Sequence, residues 1–181
     1  PEGYAKGEVE PLNISIKLTQ CGLDQGESFA EENFREVLAK AKEHGNFVRV
    51  DMEGSPYTER TVLMIEKVHG EFPNTGTVVQ SYLYRTKDDV GWAILNKVRL
   101  RLVKGAYLED SDVAYQRKER VDECFVENAK SLMEEGLYPA IATHDERHSA
   151  VNQHESRIHP DRGNDPHRAR EFPQPRANNV L

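Results

Sequence analysis

Cysteine is scarce in this chain: Cys21 and Cys124 are the only two in 181 residues, too few and too isolated for a disulfide framework or a cysteine metal site. A reducing compartment is the simple reading. Long apolar runs are missing as well. No stretch approaches the ~20 residues of a membrane-spanning helix, and no charged-then-apolar leader opens the chain. A soluble, cytoplasmic-side protein is expected. There is no basic stripe before the C-terminal tail, and the formal net charge of -7 argues against a nucleic-acid partner, whose phosphates need clustered cations. No G-x-G-x-x-G turn follows any apolar run, which weakens a dinucleotide-binding doubly wound fold. No nucleophile–base motif appears. The chain begins at Pro1 rather than methionine, which suggests that the native N-terminus lies upstream.

What is present is a hydrophobic fraction of 37%, gathered into short runs rather than spread thinly, beside 30% charged residues. Clustered apolar runs favour a folded domain, and the length suits one. Five runs read as strands: NISIKL (13–18), FVRVDM (47–52), TVVQSYL (77–83), VRLRLV (98–103) and PAIAT (139–143). Between them lie four segments with apolar residues at helical spacing, at 27–45, 55–70, 85–97 and 115–136. Ser28 and Ser55 are the expected helix N-caps, and Gly45, Gly70 and Gly136 the expected left-handed C-terminal residues. Trp92 is expected on a helix face against the sheet, the cysteines in packing, and Tyr82 and Tyr84 as alternating strand residues. Strands alternating with helices predict an α/β fold with parallel pairing and right-handed crossovers.

Periodicity alone does not separate an open doubly wound sheet from a closed barrel. Polar residues favour the barrel: Lys17, Asp51, Gln80, Arg101, and Thr143 with His144 fall at or near the C-terminal ends of successive strands. In a (β/α)8 barrel those ends converge on the active-site face. Lys17 and Asp51, on consecutive strands, are close enough there to form an ion pair. Arg101, Lys104, Gly105 and Tyr107 leave the fourth strand as RLVKGAY, where two cations and a glycine suit an anionic cofactor. His144 and His148 lie four apart, but Glu146 stands one place later than in H-E-x-x-H and no third ligand is spaced to complete a zinc site, so no metal is expected. From residue 150 the composition shifts to four prolines, three histidines, five arginines and no lysine. This divides the chain into a folded part at 1–149 and an atypical, disordered tail at 150–181.

The strings ISIKLTQCGLD, HGNFVRVDMEGSPYTERT, VVQSYLYRT, RLVKGAY and LYPAIATHDER, in this order, resemble proline dehydrogenase, above all the bacterial monofunctional enzymes. The resemblance runs from Leu12 to Arg147. It implies a partial (β/α)8 TIM-type barrel with about five βα units, non-covalent FAD, and oxidation of L-proline to 1-pyrroline-5-carboxylate in proline catabolism. Electrons would pass to a quinone, with peripheral contact at the inner face of the membrane. By the same resemblance Asp51 is an active-site carboxylate paired with Lys17, and Lys17 and Tyr107 contact the substrate. Met52, Gln80, Lys104, Gly105 and Ala106 line the flavin, Thr143 and His144 hold its phosphate or ribitol region, and Arg101 lies against its ring. The family's last helix carries an arginine pair for the proline carboxylate, and nothing after Arg147 matches that motif. A non-catalytic remnant that binds flavin or a partner is therefore the alternative.

Overall fold

The computed structural model describes residues 11–143. His144, His148 and the segment 150–181 lie outside the described residues. The order is β1 (Asn13–Ile16), a 3-10 turn (Leu18–Cys21), α1 (Glu27–Glu43), β2 (Phe47–Val50), α2 (Ser55–His69), β3 (Thr75–Gln80), α3 (Thr86–Leu95), β4 (Arg99–Val103), α4 (Lys118–Glu135) and β5 (Ala140–Ile141). All neighbouring strands pair in parallel, in the order β1-β2-β3-β4-β5.

That order decides between the two architectures. A doubly wound sheet reverses direction at a switch point and carries helices on both faces. Here the order never reverses. One continuous core joins Phe34 and Leu38 of α1, Ile65 and Val68 of α2, Ala93 of α3 and Phe125 and Leu132 of α4 to Val48, Val50, Val79, Leu100 and Leu102 of the sheet. Because strand side chains alternate, these sheet residues define one helix-facing side, and Arg49, Gly76, Arg99 and Arg101 stand on the other, concave side. A sheet wound in one sense with helices outside is part of a barrel.

Register in the middle of the sheet depends on a glycine. Gly76 pairs with Arg49 on one side and Arg99 on the other. A Cβ at this position would lie 2.2 Å from the Arg99 carbonyl oxygen and 2.9 Å from the Phe47 ring. Only a residue without a side chain lets β3 and β4 close here. Inside the helix-facing layer, the hydroxyls of Thr75 and Thr77 donate to the carbonyls of Val48 and Val50, at 3.1 and 2.9 Å.

Several local expectations are corrected. The third strand ends at Gln80, so Tyr82 and Tyr84 are loop residues: Leu83 N–H turns back to the Gln80 carbonyl, and Leu83 bridges antiparallel to Ala114. Helix α1 is capped by Gly26, ahead of Ser28, and α2 by Gly54, ahead of Ser55. Of the three glycines, Gly45 adopts the left-handed conformation (φ 66°), whereas Gly70 and Gly136 have negative φ. Gly136 is needed for space instead, since a Cβ would meet the Leu132 carbonyl oxygen at 2.4 Å. Trp92 does pack against the core, as expected. Among the described residues no helix is long and apolar enough to cross a membrane.

Phe34 is wholly buried where α1 meets the sheet. Phe34→Ala is expected to lower unfolding stability in urea by about 3–5 kcal/mol. Leu95→Ala, at a site 83% exposed, should change it by less than about 0.5 kcal/mol.

Candidate active site

The C-terminal ends of the strands are laced together by short polar links. The Asp51 N–H donates to the Ile16 carbonyl at 2.7 Å, which brings the ends of β1 and β2 level. Beyond Ile16 the chain turns sharply: Lys17 stays extended, its N–H donating to Gln20 Oε1 at 2.8 Å, while Leu18 buries itself in the core. Thr19 Oγ1 then donates to Glu53 Oε1 at 3.0 Å. Gln80 is buried at the end of β3. Its side-chain amide donates to the Glu53 carbonyl at 3.1 Å, and its own carbonyl accepts the Thr86 hydroxyl at the start of α3.

The charge pairing differs from expectation. Asp51 meets Arg101, with Oδ1 3.6 Å from the guanidinium and both side chains about one-third exposed (37% and 33%). No Lys17–Asp51 pair forms among the described residues. The reason is local: Lys17 caps the 3-10 turn, whereas Arg101 reaches across β3 on the concave side that Asp51 shares. An ion pair this open to water contributes about 0–1 kcal/mol. Its value is positional, since it holds a carboxylate and a guanidinium side by side at the mouth of the sheet.

Lys104 also departs from its expected place. Its ammonium turns to the helix layer, 2.5 Å from Asp122 on α4 and over the Phe125 ring, because it follows the concave-facing Val103 by one residue. Only its backbone stays at the strand end, where its carbonyl accepts the Tyr82 N–H at 3.0 Å. Gly105 follows with φ 126°, packed so tightly that a Cβ would lie 2.5 Å from the Tyr82 ring. No other residue fits that conformation and that space together. Ala106 and Tyr107 are exposed at the mouth. Met52 is buried with Val62, Val78 and Val103. Thr143 is half-buried just after β5.

Glu109 is a residue that motif reading missed. Its carboxylate accepts the Ser55 N–H at 2.7 Å and also the Ser55 hydroxyl. It thus places negative charge at the N-terminus of α2, where the helix dipole favours it. Nothing in the spacing reveals this contact, because the partners are 54 residues apart. The same carboxylate faces the Tyr82 hydroxyl, which burial first, and this negative charge second, push up to about 12. The loop is braced again where Tyr84 donates to the Ser111 carbonyl and packs edge-on against Tyr115. The segment 104–109 is therefore tied at one end to the loop after β3 and at the other to the start of α2.

A parallel sheet with helices on one side and polar residues gathered at its strand ends defines a partial (β/α)8 barrel protein with its candidate site at the C-terminal face. A family model described as "Proline dehydrogenase" matches residues 2–169. The chain belongs to the proline dehydrogenase family. It is 40% identical over 133 residues to proline dehydrogenase 1 of Bacillus subtilis, covering 74% of this chain and 44% of that protein. It is 41% identical over 141 residues to proline dehydrogenase of Deinococcus radiodurans, with 74% and 45% covered. The chain thus spans under half the length of these curated relatives. Among solved structures, proline utilization A of Bdellovibrio bacteriovorus superposes with a TM-score of 0.71 at 24% identity, over 80% of this chain and 18% of the other. A Bradyrhizobium japonicum proline utilization A does so at 0.70 and 20%, over 86% of this chain and 20% of the other.

Two linked outcomes are expected for Glu109→Gln. Stability should fall by about 1–2 kcal/mol as the charge-assisted bonds to Ser55 weaken, read by chemical denaturation. A spectrophotometric titration should also show the late-ionising tyrosine moving back toward its ordinary range. In the unaltered chain the folded state holds the Tyr82 proton longer than the unfolded state, so stability should decline between pH ~10 and about 12. Tyr82→Phe should flatten that decline.

Proposed function

We propose that this chain provides the proline- and flavin-facing part of a proline dehydrogenase, which oxidises L-proline to 1-pyrroline-5-carboxylate with FAD as hydride acceptor and a quinone as the onward acceptor. The observation that carries this reading is the Asp51–Arg101 arrangement at the mouth of the sheet, in a chain of this family. The residues present fit an anionic cofactor: Arg101 puts positive charge at the mouth of the sheet in an otherwise acidic chain, and Gly105 and Ala106 are exposed on the loop that leaves the same strand.

When bound, the flavin would accept the hydride that leaves the proline ring. This chain's residues would do the positioning. Arg101 would set positive charge against the flavin ring, favouring its reduced, anionic form. Asp51 restrains that guanidinium and, with Lys17 half-exposed at the neighbouring strand end, would face the substrate's ammonium and carboxylate. Tyr107 would wall the pocket, held by the Glu109 bracket. Gln80, its amide committed to Glu53, and buried Met52 would form the floor beneath the cofactor. Lys104 would contribute through its backbone, since its ammonium is engaged with Asp122. Thr143 and His144 would hold the phosphate or ribitol end.

A non-catalytic flavin-binding reading is favoured by one observation, that the chain spans 44% of its Bacillus relative. One experiment separates the two. The purified chain is mixed with FAD, freed of excess, and its visible spectrum is followed on adding L-proline with a dye acceptor. Bleaching by proline supports proline dehydrogenation, retained but unbleached flavin supports the remnant, and no retained flavin sinks both. Arg101→Met is expected to weaken flavin retention at least about tenfold, the loss of a charge-assisted contact, without altering the far-ultraviolet circular dichroism.

A further inference from the structure

The concave side of the sheet carries a second cluster of cations, below the mouth. Ser15, Arg49, Gly76 and Arg99 form one row of register partners across β1 to β4. With no side chain at Gly76, the Phe47 ring lies over the strand there, with the guanidinium of Arg49 5.5 Å and that of Arg99 5.0 Å from its centre. Arg99 also lies over the Tyr138 ring at 5.1 Å. Neither arginine has an ion-pair partner among the described residues. Arg49 is 5% exposed, and its Nε has no hydrogen-bond partner; a single contact of 3.4 Å to Asn13 Oδ1 serves one terminal nitrogen. Burial first, and the charge of Arg101 next, both oppose its charge, with Asp51 the one acidic group that supports it.

Inside a (β/α)8 barrel, alternate strands fill each interior layer, normally with valine, isoleucine or leucine. Here the alternate strands β2 and β4 supply arginines. Closing the barrel over them would bury two guanidiniums further, and a buried charge persists only when it is paired. We propose that the Arg49–Phe47–Arg99 layer is a recognition surface for the polypeptide that completes the barrel, and that this polypeptide presents a carboxylate between the two guanidiniums. Arg49, nine-tenths buried yet unsatisfied, is one half of a charge pair whose other half lies outside the described residues. The Phe47 and Tyr138 rings near the Arg99 guanidinium restrain it, and its forked N–H donors suit a two-point contact with a carboxylate. The proposal rests on the family fold and is independent of proline oxidation.

The test uses the full chain and a separately produced polypeptide comprising the part of the 40% identical Bacillus relative that the chain does not match. Binding is measured without flavin across a salt series. Association is expected, weakening as salt rises, and Arg99→Glu should weaken it at least about tenfold. Arg120→Glu, on the outer face of α4, should leave it unchanged. Arg99 is only half-buried, so its variants keep the sheet, which circular dichroism checks; Arg49→Met tests the buried partner in the same way. Three results would each overturn the proposal: no association, association indifferent to Arg99→Glu, and an Arg99-dependent dimer of the chain alone.

Discussion

The parallel pairing of β3 with β2 and β4 is the constraint on which the remaining structure depends. Gly76 makes it possible, because any side chain there would collide with the Arg99 carbonyl. Once β4 lies at that distance, Leu100 and Leu102 are committed to the helix layer, and Arg99 and Arg101 to the concave side. The period of two along each strand then propagates the choice to every neighbour. A slip of one residue would place two arginines among Phe34, Leu38 and Phe125, which the cost of burying unpaired charge forbids. Packing and electrostatics therefore enforce a single register.

The mouth of the sheet inherits its order from the same register. Strand ends brought level allow single hydrogen bonds to tie one loop to the next, from Thr19 to Glu53, from Gln80 to the Glu53 carbonyl, and from Glu109 to Ser55. Each link is modest in energy, and together they immobilise loops that would otherwise be the most mobile part of the fold. The Asp51–Arg101 pair sits among them, open enough to water to be reorganised by a ligand. The result is a rigid frame around an adaptable charge pair.

Much of this was legible beforehand. The alternation of β-type and helix-type runs placed the five strands and four helices of the described residues, because burial on one face of a strand or helix leaves a period that composition does not hide. Errors fell at element ends. TVVQSYL looks like an uninterrupted strand, yet it turns after Gln80, where the Thr86 hydroxyl captures the Gln80 carbonyl from six residues away. The expected caps at Ser28 and Ser55 gave way to Gly26 and Gly54, and Ser55 serves Glu109 instead. The site shows the same division. Lys17, Asp51, Gln80 and Arg101 were found by their positions at strand ends, but their partners were not. Asp51 pairs with Arg101 rather than Lys17, and the Lys104 side chain turns away from the mouth to Asp122.

The sequence by itself determined which segments are strands and helices, which side chains share a face, and to which family the motifs point, since all of these are written in local periodicity and short strings. Tertiary structure alone decided the strand order, the helix layer, the partner of Asp51, the role of Glu109, and the burial of an Arg49 charge that has no ion-pair partner among the described residues. Those depend on distances between residues tens of positions apart. Such distances are set by how the sheet closes and how its loops pack, and no local pattern in the chain encodes them.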